Sequence, residues 1–293
     1  MTLDERLLVA VDVDGTLLNT EFDDVLGQRE IQALDGAREA GHVVALCTGR
    51  NLRSVNGLLQ QSGWQPEDLP MILLNGALVW GGTPRRQLAC NILQENEIRD
   101  LVRLFKKHGL VPMIYDMDED GGVLHHEDGA LNEVQAHYLS MRKRTVGAIH
   151  TTADLQSLPL ERALEVGTID QKERVLALTA EIRQQLAERV RVINTESLLG
   201  AGRFYWVEVF RHGSDKGAGV RTLANACGIP LTQVVAIGDN YNDLDMFAAA
   251  GLSVAMGNSP DDVRKQADLV TAPVQQSGAA RVLEQIASGV LPG

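Results

Sequence analysis

A chain of 293 residues, 44% hydrophobic and 23% charged, has material for one large or two modest globular cores. A formal net charge of -12 gives no general attraction to DNA, RNA or an anionic membrane; an anionic ligand would need local positive charge from a metal, Lys or Arg. Cys47, Cys90 and Cys227 lie far apart without CxxC or Cys/His zinc spacing, which supports neither a disulfide framework nor a zinc site. No apolar run approaches the ~20 residues of a membrane helix. The opening MTLDERLL is too acidic, and its apolar run too short, for a signal peptide, so a cytoplasmic protein is expected.

The first predicted strand, Leu7–Val11, runs directly into Asp12, and Asp14 follows. A charge beside a buried apolar run is costly unless it is paired or metal-bound. Residues i and i+2 of an extended chain point the same way, so both carboxylates can face one site. The plainer reading is a strand end followed by an Asp/Gly turn at Gly15. Helical patterns ending on Gly41 and Gly63 bracket a second buried strand, Val43–Cys47, which leads into Thr48, Gly49 and Arg50. A third, Met71–Leu74, leads into Asn75-Gly76.

From about Gly81 to Tyr205 the pattern changes, with polar helices such as ENEIRDLVRLFKKHG and TAEIRQQLAERV between short strands. The β/α rhythm returns near Lys216, with strands expected at Val234–Ile237 and Leu252–Met256. A further helix is expected to start at Ser259 as N-cap, with Pro260 in its first position. Strands alternating with helices predict an α/β, doubly wound parallel-sheet core spanning residues 1–82 and 208–293, interrupted by an inserted α+β domain over 83–207.

In an open parallel sheet, ligands bind beyond the carboxyl ends of the strands. There Val234–Ile237 is followed by Asp239, Asn240, Asn242 and Asp243. A helix start accounts for part of this group, with Asn242 as N-cap and Asp243 and Asp245 in the first turn, but Asp239 precedes that cap. Lys216 falls in the first turn of a predicted helix, where the dipole disfavours a cation. A solvated lysine is the plain alternative; a phosphate neighbour would reverse the electrostatic sign.

DVDGTL, TGR, DKG and GDNYND, in that order and setting, resemble the four motifs of the haloacid dehalogenase (HAD) superfamily of phosphatases. The insert between TGR and DKG resembles the C2-type cap of the Cof-type subfamily, as do NGA (Asn75–Ala77) and MGNSPDDVRKQAD (Met256–Asp268). The resemblance covers nearly the whole chain. One departure is Asp215, where such chains commonly carry an apolar residue before the motif lysine.

The resemblance implies a Mg2+ ion bound by the carboxylates of Asp12 and Asp239 and the backbone carbonyl of Asp14, with Asp243 orienting metal-bound water from behind. Magnesium favours such carboxylates, together with water and a phosphate oxygen. It further implies Asp12 as nucleophile, forming an aspartyl-phosphate, and Asp14 as general acid and base. Thr48, the Gly49 N–H and Lys216 would hold the phosphoryl oxygens, and Asn242 would reach substrate. Arg50 would either reach substrate or pair with an acid.

Asp116 to Glu127 fits the calcium-loop pattern D-x-D-x-D-G-x5-E in full. The residues before it, GLVPMIY with Pro112, are not the helix an EF-hand requires, and no second copy exists, so an acidic strand-loop-strand is expected. His125 and His126 would point apart on a strand and make a two-His metal site a poor reading. The expected activity is a magnesium-dependent phosphomonoesterase acting on a small phosphate ester, sugar phosphates leading, with no nucleic-acid or membrane partner. A hexose phosphomutase and a phospho-accepting signalling domain are the alternatives. Asp14 argues against the latter, because an acid/base beside the nucleophile hastens loss of the phosphoryl group.

Overall fold

The apolar runs become strands because each is buried on both faces. The computed structural model describes residues 5–19, 25–82, 84–117, 122–129, 131–142, 148–197 and 202–290. In chain order, its first part holds β1 (Leu8–Val11), α1 (Gln28–Glu39), β2 (Val43–Cys47), α2 (Leu52–Gln61), β3 (Met71–Leu73), β4 (Leu78–Gly81) and β5 (Arg86–Cys90). The middle holds α3 (Glu95–Lys107), β6 (Met113–Asp116), β7 (Val123–Glu127), α4 (Glu133–Arg142), β8 (Ala148–Thr152), β9 (Ala163–Gln171), α5 (Lys172–Leu186), β10 (Val190–Glu196) and β11 (Phe204–Arg211). The last part holds α6 (Lys216–Cys227), β12 (Val234–Gly238), α7 (Leu244–Ala249), β13 (Leu252–Ala255), α8 (Asp261–Arg264), β14 (Leu269–Val270) and α9 (Gly278–Ala287). These elements form two compact units, one of Met1–Arg50, Val55–Cys90 and Asp215–Gly293, the other of Asn51–Ser54 and Asn91–Ser214.

In the first unit an eight-stranded sheet runs β14-β13-β12-β1-β2-β3-β4-β5. It is parallel from β14 to β3 and antiparallel from β3 to β5. Leu8 and Ala10 pack with Val220, Leu223 and Ala224 of α6 and with Met246 and Phe247 of α7. Val9 and Val11, which alternate to the other face, are equally buried. Such strands carry continuous apolar runs rather than alternation, and each fully buried Val or Leu contributes about 1.5–3 kcal/mol.

Three elements differ from expectation. β11 runs to Arg211 in the second unit's sheet, past the boundary expected at residue 207. β5 extends the first unit's sheet past residue 83, where the inserted domain is expected to begin, because Leu88 and Ala89 pack against the same core. The helix expected from Ser259 is the single turn α8, and Pro260 is its cap rather than its first residue.

In the second unit a six-stranded sheet runs β10-β11-β9-β6-β7-β8, antiparallel except for the β7–β8 pair. Ile98, Leu101, Val102 and Phe105 of α3 and Leu178 and Ile182 of α5 share a core with Ile114, Val166, Val207 and Val209 of the sheet. α3 begins in a capping box, with the Glu97 carboxylate accepting the Gln94 N–H at 2.7 Å.

Asp116 and Glu127 lie on the antiparallel pair β6 and β7, in strands rather than helices, while Asp118 and Asp120 lie outside the described residues. Asp116 accepts the Arg162 N–H at 3.2 Å, and Glu127 holds Lys106 at 2.6 Å and the Leu155 N–H at 2.8 Å. His126 bonds Thr151 and the Glu127 carbonyl, whereas His125 stacks edge-on against His150. Among the described residues, no helix is long and apolar enough to cross a membrane.

Candidate active site

Strand order brings the polar residues together. β1 lies between β12 and β2, and its last residue, Val11, pairs with Ile237 and Leu46. The next residues along these strands are therefore neighbours: Asp12 after β1, Thr48-Gly49-Arg50 after β2, and Asp239 after β12. The Asp12 N–H donates to the Ile237 carbonyl at 2.9 Å, which fixes the carboxylate at the strand mouth.

Lys216 is the first residue of α6, and its side chain is 1% exposed. Its ammonium donates to Asp12 Oδ1 and to Asp243 Oδ1, each at 2.6 Å. Burial alone would lower its pKa, but the carboxylates of Asp12 and Asp243 outweigh burial and hold it well above the ordinary lysine value. Two carboxylates thus offset the unfavourable helix-terminus position. Asp215 caps the same helix, its carboxylate accepting the Ala218 N–H at 2.6 Å, which accounts for an acid in a place usually apolar. Gly217 permits the close packing, since a Cβ there would lie 2.2 Å from the Asp245 carbonyl oxygen.

Asp243 is fully buried, and its Oδ2 accepts the N–H groups of Asp239 at 2.8 Å and Asn240 at 2.9 Å. Asn240, rather than Asn242, caps this turn, and Asp243 closes the capping box. The Asn242 side chain is left free to donate to Asn75 Oδ1 at 3.0 Å. Asp239 accepts the Thr16 hydroxyl at 3.3 Å, and Asn258 donates to the Gly15 carbonyl at 2.9 Å. Gly15, at φ +84, sits so close that a Cβ would lie 2.2 Å from Asp239 Oδ2.

Asp14 faces Arg50. The guanidinium donates through Nη2 to Asp14 Oδ1 at 2.7 Å and through Nε to both carboxylate oxygens at 3.0 Å. Arg50 thus pairs with an acid, as one of its two readings expected. Thr48 is fully buried, and its hydroxyl accepts the Arg50 N–H at 3.0 Å. All nine candidates, Asp12, Asp14, Thr48, Gly49, Arg50, Lys216, Asp239, Asn242 and Asp243, thus stand in the first unit at strand ends or at the start of α6. Thr16, Asn75 and Asn258 join them without having been counted as site residues. The Asn-Gly after a strand was a signal for Asn75, whereas Asn258 is brought in by tertiary contact alone.

Asp12, Asp239 and Asp243 each present a carboxylate oxygen within 4.8 Å of the others. Burial, with the charges of Asp243 and Asp14, pushes Asp12 up to about 7 despite Lys216. Burial and the charge of Asp12 hold Asp239 well above the usual carboxylate range. Buried or half-buried acids that resist ionising together suit a hard divalent cation, which takes oxygen ligands and offsets their like charge. Both oxygens of Asp243 are engaged at 2.6–2.9 Å, whereas Asp12 Oδ2 accepts from no described group and Asp239 meets only longer contacts, from Thr16 at 3.3 Å and Asn258 at 3.5 Å, so Asp12 and Asp239 are the better-placed ligands.

The match to known proteins spans the same architecture. Residues 9–283 fit the model of the haloacid dehalogenase-like hydrolases, and the chain belongs to that family. It is an enzyme of the phosphatase type within it, and similar proteins carry that name. A 5-amino-6-(5-phospho-D-ribitylamino)uracil phosphatase of Bacillus subtilis is 27% identical over 285 residues, covering 95% of this chain and 96% of that one. A pyridoxal phosphate phosphatase of Escherichia coli is 29% identical over 268 residues, covering 90% and 92%. A solved haloacid dehalogenase-like hydrolase from Bacteroides thetaiotaomicron shares the fold with a TM-score of 0.78 at 23% identity, covering 96% of this chain and all of its own.

Proposed function

We propose that the protein is a magnesium-dependent phosphomonoesterase that hydrolyses a small phosphorylated metabolite through an aspartyl-phosphate on Asp12. The observation that carries this reading is the buried Lys216 ammonium, held between Asp12 and Asp243 at 2.6 Å beside the high-pKa Asp239. Asp12, Asp239 and the Asp14 carbonyl would hold the ion, with Asp243 behind; when bound, it supplies charge neutralisation for the phosphoryl group and the carboxylates.

Asp12 Oδ2 attacks phosphorus while the bond to the ester oxygen breaks. Asp14 gives its proton to that departing oxygen. Lys216, the Thr48 hydroxyl and the Gly49 N–H hold the phosphoryl oxygens as charge shifts across them. Water then attacks phosphorus, Asp14 takes its proton, and the bond from phosphorus to Asp12 breaks to free phosphate. Arg50 keeps Asp14 at the strand mouth throughout. Selection among esters falls, by family resemblance, to the inserted domain.

Sugar phosphates are the first class to test. The names of the two relatives favour a second, ring compounds carrying a phosphate ester such as pyridoxal phosphate and 5-amino-6-(5-phospho-D-ribitylamino)uracil. Phosphate release from a panel covering both, with and without magnesium, tests the reading. Turnover that depends on magnesium and vanishes in Asp12→Asn supports it. Full activity after exhaustive chelation overturns the mechanism, and a requirement for a bisphosphate activator with no net phosphate release would instead indicate a mutase.

A further inference from the structure

Asn75 has a left-handed backbone, which glycine adopts most readily and asparagine next. It follows β3 with φ +49, and Leu74 before it also has φ +49. Of these two left-handed residues in succession, the leucine is held against its preference by neighbours. The Leu74 N–H donates to the Arg50 carbonyl and the Asn75 N–H to the Thr48 carbonyl, each at 3.1 Å. The kink thereby ties the end of β3 to the Thr48-Gly49-Arg50 turn. Strain of this kind persists where the surroundings over-determine it, and it clusters at functional sites.

The side chain sharpens the point. Asn75 is 1% exposed. Its Oδ1 accepts from Asn242, while its Nδ2 donates to no described group. The Nδ2 atom itself is not fully enclosed, so its unused donor faces space that a ligand can occupy rather than packed protein. This Nδ2 lies beside Gly49, where a Cβ would stand 3.3 Å from it. A side chain larger than hydrogen at Gly49 would crowd it.

Resting on the phosphatase reading, we propose that Asn75 is a phosphoryl-binding residue whose Nδ2 donates to a substrate phosphate oxygen beside the Gly49 N–H. Through Oδ1 it also places Asn242, so one amide serves two strand-end loops. A mere structural pin would need the Asn242 contact and the kink but no free donor.

Two variants separate these roles. Asn75→Gly relaxes the φ and removes the amide; Asn75→Asp keeps the acceptor for Asn242 and replaces the donor by a charge. The measurements are kcat and KM for p-nitrophenyl phosphate with magnesium, the Ki of inorganic phosphate, and the thermal midpoint. Losing a hydrogen bond to a charged group is worth about 10- to 100-fold in affinity. Asn75→Gly is expected to melt no lower than the parent, with KM and phosphate Ki raised by that factor. Asn75→Asp is expected to raise both further. Parental KM and Ki in either folded variant, including a case where only the melting point or kcat falls, overturn the assignment of Asn75 alone. A parent inert to every ester overturns the phosphatase reading beneath it.

Discussion

Asp12 and Asp14 are two residues apart yet meet opposite fates: Asp12 lies against Lys216, while Asp14 lies against Arg50, whose side chain is 3% exposed. A two-pronged contact fixes the plane of the Asp14 carboxylate as well as its place. Arg50→Met should release that carboxylate while leaving the Lys216 and Gly49 contacts with phosphate in place. General acid–base help is worth ~10²–10⁴-fold, and it matters most when the departing oxygen is a poor leaving group. The expected outcome is a large loss of kcat on an alkyl phosphate, a much smaller loss on p-nitrophenyl phosphate, and little change in KM for either. Equal losses on both esters with a raised KM would place Arg50 on the substrate instead.

At the scale of elements, the edge of the first sheet depends on a short-range exchange. Asp268 accepts both the hydroxyl and the N–H of Ser253 on β13, at 2.7 and 2.8 Å, and its own N–H returns to that hydroxyl at 3.0 Å, just before β14. The bonds from Ser253 hold the Asp268 carboxyl below the ordinary range. A carboxyl depressed in the folded state adds stability above its unfolded value, near 3.9, and loses it as pH falls through the folded value. Ser253→Ala should therefore be less stable than the parent near pH 7. The gap should stay under about 1 kcal/mol, because Asp268 is largely in water, and should narrow below about pH 3. Urea midpoints at the two pH values measure it; a gap that stays constant into acid would show that the carboxylate is not the partner that matters.

Over the whole molecule, the formal charge of -12 opposes a phosphate dianion at long range. The cationic groups of the site act over a few ångströms, whereas the net charge acts out to the Debye length, about 8 Å at 0.15 M salt and ~30 Å at 0.01 M. Raising salt between those limits at saturating magnesium should leave kcat/KM for p-nitrophenyl phosphate unchanged or modestly higher. A several-fold fall would mean that a local cationic funnel governs encounter. The same net charge argues against retention on heparin or nucleic acid, where affinity is bought by counterion release from basic surfaces.

Much of this was legible in the linear sequence, for a local reason. Parallel strands buried on both faces must be unbroken apolar runs, so Leu7–Val11, Val43–Cys47 and Val234–Ile237 announce themselves, and a charge placed at the end of such a run demands a partner. Asp12 and Asp239 stood out on those grounds, and Lys216 as a cation in the first turn of a helix. What depends on which strand lies beside which was not legible. Arg50 is 36 residues from Asp14, and only the pairing of β1 with β2 brings guanidinium and carboxylate together. Asn242 was the cap expected from sequence; the backbone geometry and the buried Asp243 give the cap to Asn240 and leave Asn242 for Asn75. The left-handed turn at Asn75 is held by carbonyls on the neighbouring strand's loop, 27 and 24 residues away by the numbering of Thr48–Asn75 and Arg50–Leu74. Local composition thus determined the elements and the charges at their ends, whereas strand order and register, set by long-range packing, decided which of those charges touch.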